Sequence, residues 1–198
     1  MTVFYSELLG KVANVAWQRN STEFLESFRP NQIRSKEFLV ESILSVQTKF
    51  KKAAVLGSWN GILLYELMKD YVDYWHFYDL SPDVVWDRSR YFELNNMTEN
   101  YASITGDVVQ MFNNTGLAKE YDLIINPSCE HMEDIRAESG PLYALTSNNY
   151  TEVKEHINTI EHEEDLAIKN NINDIRFKGK IQIQKPVPYE RYCVIGYA

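Results

Sequence analysis

The sequence predicts an α/β fold: a three-layer open sheet, mostly parallel, with a C-terminal antiparallel hairpin and added N-terminal helices. Three observations carry this. From Lys52 onward, short apolar runs alternate with amphipathic stretches, the pattern of repeated strand–helix units. The strongest run, Leu123-Ile124-Ile125, is continuously apolar, as a strand buried on both faces requires. The last two strand candidates, Ile175–Gln184 and Tyr192–Tyr197, are joined by a short connection with no room for a helix, so they must pair antiparallel.

Taken in order, Phe4, Leu8, Leu9, Val12 and Val15 fall at helical spacing. Arg29-Pro30-Asn31 interrupts that pattern, and Ser35 is placed to cap a second helix carrying Phe38, Leu39, Ile43, Leu44 and Val46. Ala53–Leu56 is a strand, Gly61–Lys69 a helix and Tyr74–Asp79 a second strand. Pro82 opens a helix, since proline suits a first helical turn. Tyr101–Thr105 is a strand, Val108–Asn113 a brief helix, Tyr121–Asn126 a strand and Met132–Glu138 a short helix. Pro141–Thr146 is a further strand and Glu152–Asn170 a long polar helix. A chain of 198 residues suits one domain, with residues 1–50 as a helical addition or lid and 51–198 as the sheet core.

Composition narrows the function. Hydrophobic residues make up 44% and charged residues 24%, a globular balance. The net charge of −8 argues against a surface that neutralises many phosphates, so a small-molecule substrate is expected rather than nucleic acid. The cluster Lys49, Lys51, Lys52 reads as a solvated helix end. No apolar run reaches the roughly 18–20 residues of a membrane span, and no signal-peptide pattern opens the chain. Two cysteines make no disulfide framework, so a reducing, cytoplasmic setting is expected. An exposed edge strand near the C-terminal hairpin can support a homo-oligomer.

Four segments carry chemistry. The loop Val55-Leu56-Gly57-Ser58-Trp59-Asn60-Gly61 follows a strand and opens a helix, offering close backbone approach and free N–H groups. It is neither a dinucleotide fingerprint, because Trp59 and Ile62 stand where glycines are required, nor a P-loop. Asp79, at the tip of the second strand and 22 residues after Gly57, is placed to accept hydrogen bonds from ribose hydroxyls. Asp107, after the third strand, either accepts from an adenine amino group or caps the helix at Val108. Asn126-Pro127-Ser128-Cys129-Glu130-His131 follows the fourth strand, which normally neighbours the first, and so faces the glycine loop. There Asn126 can hold a substrate amine or carbonyl, Glu130 or His131 can act as general base, and Cys129 is a nucleophile only if His131 stabilises its thiolate. No metal is expected, because neighbouring loop residues rarely all reach one ion and no second cluster completes a site. His156 and His162 lie on an acidic stretch and read as a solvated face. Trp17, Trp75 and Trp86 read as core or lid residues, while Trp59 reads as a cofactor or lid contact.

With these residues in place, residues 50–198 resemble the class I S-adenosylmethionine-dependent methyltransferases, which have a Rossmann-like fold. Gly57 and Gly61 match the outer glycines of the family's Gly-x-Gly-x-Gly motif, with Trp59 in the middle position. Asp79 and Asp107 match its acidic residues after the second and third strands. Asn126-Pro127 resembles the start of the Asn-Pro-Pro-aromatic motif of amino-group methyltransferases, from which Ser128 and Cys129 depart. The closing hairpin is a further family feature. The resemblance implies S-adenosylmethionine as cofactor, held by Gly57, Ser58, Trp59, Gly61, Asp79 and Asp107, and methyl transfer served by Asn126, Glu130 and His131. Other chemistry on the same cofactor (cleavage, cyclisation or aminocarboxypropyl transfer) and a non-catalytic interaction module are the alternatives.

Overall fold

The structure, a computed structural model, describes residues 3–19, 23–97, 99–184 and 187–198. Seven strands form one sheet in the order β3-β2-β1-β4-β5-β7-β6. They are β1 (Phe50–Val55), β2 (Val72–Asp79), β3 (Tyr101–Thr105), β4 (Leu123–Asn126), β5 (Leu142–Asn148), β6 (Asp174–Ile183) and β7 (Tyr189–Tyr197). The first five are mutually parallel, and β7 runs antiparallel to both β5 and β6. Chain order reverses at β1 and β4, which pair directly through Ala53 with Leu123 and Val55 with Ile125. A ligand cleft is expected at the carboxyl end of such a switch point.

The side-chain period of two sorts each strand between two cores. Ala53, Val55, Trp75, Phe77, Leu123 and Ile125 face one side, where helices α1 (Val3–Arg19), α2 (Pro30–Val46), α3 (Ile62–Met68) and α4 (Pro82–Leu94) contribute Leu8, Val12, Leu39, Ile43, Leu63 and Phe92. Ala54, Leu56, Tyr78, Ile124 and Tyr143 face the other, against Phe112 of α5 (Val108–Thr115) and Leu166 of α6 (Glu163–Lys169). Both faces of the sheet are thus covered. The N-terminal helices share the core of the sheet's first face rather than standing apart from it. No helix is long and apolar enough to cross a membrane among the described residues.

Several local expectations are corrected. Pro30 does not end the first helical pattern but occupies the first turn of α2. Ser35 lies inside that helix, its hydroxyl donating to the Asn31 carbonyl at 2.7 Å. Residues 132–138 are not helical; the short turn there is 3₁₀ and spans Cys129–His131. The long polar helix over 152–170 is absent, and only Glu163–Lys169 is helical, with His162 as its N-cap in a capping box with Asp165. Residues 149–162 instead run irregularly across the carboxyl end of the sheet. Asn158 rivets them down: its N–H donates to the Glu130 carbonyl at 3.1 Å and its side-chain amide to Met132 O at 3.1 Å and Asp134 Oδ1 at 2.8 Å. Among the tryptophans, Trp75 is core, whereas Trp17 and Trp86 are exposed.

Candidate functional site

The loop between β1 and α3 winds through three left-handed residues: Gly57 at φ 56°, Trp59 at φ 49° and Gly61 at φ 66°. Glycine adopts this conformation freely, whereas for Trp59 it costs on the order of 1–2 kcal/mol. The loop is held from three sides. Ser58 N–H donates to the Tyr78 carbonyl at 2.9 Å. Trp59 N–H donates to Asp79 Oδ2 at 2.8 Å. Arg88, fully buried on α4, donates through Nη1 to Ser58 Oγ at 2.7 Å and the Trp59 carbonyl at 3.0 Å, and through Nε to Ser103 Oγ at 2.9 Å. Burial pushes the Arg88 pKa down to about 10, so it remains charged at neutral pH. A buried arginine is rare enough to mark a structural station, yet nothing in its helical sequence neighbours announced it.

Asp79 sits half-buried at the tip of β2. Its Oδ1 accepts from Ser81 N–H at 3.0 Å, so each oxygen already has one donor and keeps a further lone pair for a ligand hydroxyl. Asp107 caps α5, accepting from Val109 N–H at 3.0 Å and Gln110 N–H at 3.2 Å. Its other oxygen is the atom left for a ligand. Gly57, Trp59, Asp79, Leu80, Asp107 and Met132 line a cleft of about 600 Å³, within the usual range for small-molecule sites.

A second cavity, of about 230 Å³, lies on the far side of Trp59 and Ser58, lined by Lys36, Glu130, His131, Asn148, His156 and Arg191 among others. Glu130 is buried and paired: Oε1 accepts from Arg191 Nη2 at 2.8 Å and from Asn148 Nδ2 at 2.6 Å. One oxygen of the carboxylate expected to act as general base is thus held in an ion pair and an amide hydrogen bond. Its Oε2 is buried with no protein partner. His131 is exposed at the cavity wall. Burial of its ring nitrogens lowers its pKa, with His156 and Arg191 adding to the effect and Glu130 and the Glu155 backbone opposing it. Lys36, on α2, extends an enclosed amino group into the cavity. Burial pushes its pKa down to about 7, Arg191 lowering it further and Glu130 opposing.

Asn126 is fully buried and turned back on its own loop. Its Oδ1 accepts from Ser128 N–H at 3.1 Å and its Nδ2 approaches Met132 Sδ at 3.2 Å, so it lines neither cavity. Cys129 is buried, and burial, reinforced by Glu130 and Asp134, raises its pKa well above the ordinary thiol value; it is a packed thiol and not a nucleophile. His156 is not a solvated helix residue. It stands against His131 with ring centroids 4.6 Å apart. Gly57 and Asp79, singled out by spacing, line the larger cleft, while Lys36, Asn148, His156 and Arg191 reach the smaller cavity from distant segments that no local pattern marked.

No family model and no curated protein sequence matches the chain. The fold, however, matches many solved structures. One is the N-methyltransferase NodS from Bradyrhizobium japonicum WM9 in complex with S-adenosyl-L-homocysteine (TM-score 0.63, 13% identity, 98% of this chain and 99% of that one). Another is YcgJ from Bacillus subtilis (TM-score 0.60, 11% identity, 83% and 99%). A third is an O-methyltransferase family protein from Burkholderia thailandensis (TM-score 0.55, 11% identity, 84% and 57%). Strand order, closing hairpin and these superpositions agree: the chain has the Rossmann-like fold that these structures share.

Proposed function

We propose that the protein is an S-adenosylmethionine-dependent methyltransferase acting on a small molecule. One observation carries the reading: the Asp79 carboxylate, at the tip of β2, opens with Gly57 and Asp107 onto one cleft at the β1–β4 switch point. These residues suit the cofactor. Asp79 keeps lone pairs for ribose hydroxyls, Gly57 admits close backbone approach, and Leu80, Val84 and Val108 supply apolar wall for a flat base. When bound, the cofactor supplies an activated methyl group on a sulfonium.

The chain's own residues then orient an acceptor and take its proton. The small cavity beyond Trp59 is the acceptor chamber, its wall carrying Lys36, Glu130, His131, Asn148 and Arg191. His131 and Lys36 are the candidate bases, because burial holds both toward their neutral forms near neutral pH. Glu130 and Arg191 form the fixed floor. A second reading, transformation of the cofactor itself, draws on Trp59, whose residue lines both chambers and narrows the route between them. Calorimetric titration with S-adenosylmethionine and S-adenosylhomocysteine tests the first step, and no binding of either removes both readings. Product analysis separates them: S-adenosylhomocysteine marks methyl transfer, and methylthioadenosine marks cleavage of the cofactor.

A further inference from the structure

Glu130, His131 and His156 bring one ligand atom each to within 4.8 Å of one another, the metal-compatible group found among the described residues. Two of them are sequence neighbours, and the third arrives on the 149–162 segment that Asn158 holds down. Glu130 and His156 are prepared in a way that packing alone does not require. Glu130 is fixed through Oε1 by Arg191 and Asn148, and its Oε2 is buried without a partner. An orphaned buried carboxylate oxygen is costly unless something occupies its lone pairs. His156 Nδ1 lies 2.6 Å from the Tyr150 carbonyl, which can only accept, so Nδ1 carries the proton and Nε2 is left as a free lone pair. His131 packs against His156 with ring centroids 4.6 Å apart. Histidines whose second nitrogen is held by a backbone carbonyl are the usual form of metal-ligating imidazoles.

We propose that Glu130, His131 and His156 bind a divalent first-row transition ion, with open positions facing the polar cavity. Two imidazoles and one carboxylate form a donor set suited to zinc, manganese or iron. Side-chain adjustment that draws these ligand atoms together would reach metal–ligand distances of about 2.0–2.2 Å. The open positions would take an oxygen of the acceptor, a hydroxyl or carboxylate. His131 then serves as ligand, and Lys36 is the base that remains. Two positive groups oppose the ion. Arg191 is already paired with Glu130 at 2.8 Å, and Lys36 lines the same cavity.

The test needs no S-adenosylmethionine and so stands apart from the fate of the methyl-transfer reading. Tag-free protein is stripped with chelator, dialysed and titrated with Co2+ and Zn2+, reading cobalt absorption and bound metal per chain. About one equivalent is expected. Loss of ten-fold or more in affinity is expected in His156→Ala and His131→Ala, and none in His162→Ala, which lies in the α6 cap. Lys36→Met should not weaken binding, because Lys36 lines the cavity without supplying a ligand. Pulsed electron paramagnetic resonance of Cu2+-loaded wild-type protein should show two coordinated imidazoles, a readout independent of whether any variant folds. Absence of stoichiometric metal, unchanged affinity in His156→Ala, fewer than two imidazoles, or weaker binding in Lys36→Met would each overturn the proposal.

Discussion

The backbone N–H of Trp59 donates to the Asp79 carboxylate at 2.8 Å, so the residue expected to grip the cofactor also grips the loop beside it. Asp79→Asn replaces one of these acceptor oxygens with an amide NH2 donor facing another donor, either Trp59 N–H or Ser81 N–H. Charged hydrogen bonds contribute about 1.5–3 kcal/mol, so cofactor affinity should fall roughly 10- to 100-fold. Calorimetry on the folded variant reads this, and an unchanged affinity would remove Asp79 from the site.

Trp59 is held left-handed at φ 49° and lines both chambers. Trp59→Ala removes the indole but keeps the strained backbone, whereas Trp59→Gly removes both. The glycine variant should therefore be the more stable of the two by about 1 kcal/mol, measured by chemical denaturation. The reverse order would show that the conformation costs the loop nothing.

The Arg191–Glu130 pair is 2.8 Å long and buried at both ends. Glu130→Ala leaves Arg191 and the Asn148 amide uncompensated, and should destabilise the metal-free protein by about 3–5 kcal/mol. A smaller loss is expected for Glu130→Gln, which keeps an acceptor oxygen. Thermal unfolding of the two variants against the parent checks the order.

His76 gives the fold a pH dependence. Its Nδ1 meets the Tyr121 hydroxyl at 2.7 Å, and that hydroxyl meets Tyr78 at 2.5 Å. Burial lowers the His76 pKa, Lys52 lowers it further and Glu120 opposes; Tyr74 packs edge-on from the same strand. The unfolded imidazole titrates near 6.5. Between the lowered folded value and about 6.5 the unfolded chain holds more protons, so stability rises with pH through that window and levels above it. Melting temperature followed from pH 5 to 8 should show this rise, and His76→Gln should reduce its slope below about pH 6.5, leaving the shares due to His131 and Lys36.

Strand identity was largely legible, because Leu123-Ile124-Ile125 and the run ending at Asp79 are too apolar to lie anywhere but a sheet. The hairpin followed from a connection too short for a crossover. The glycine loop and Asp79 were legible through spacing alone. Beyond them the pattern failed for a physical reason. Charged residues at 152–165 mimic a solvated helix, yet side-chain bonds through Asn158 and the His156–Tyr150 contact hold that stretch irregular. Arg88 and Arg191 look like surface residues in sequence and are buried because their donors meet acceptors brought from far along the chain. Asn126 resembled a substrate-binding amide, but in the fold its own loop uses it.

The stretch from residue 149 to 162 contributes no strand and no regular helix, yet it delivers His156 to the smaller cavity and closes one wall of it. Its length and composition can therefore change without disturbing the register of any strand, provided that Asn158 keeps its anchor. If the proposed function holds, rewriting these fourteen positions would change the smaller cavity while the cleft beside Asp79 stays constant. The same stretch is the natural insertion point for anyone wishing to retarget the protein.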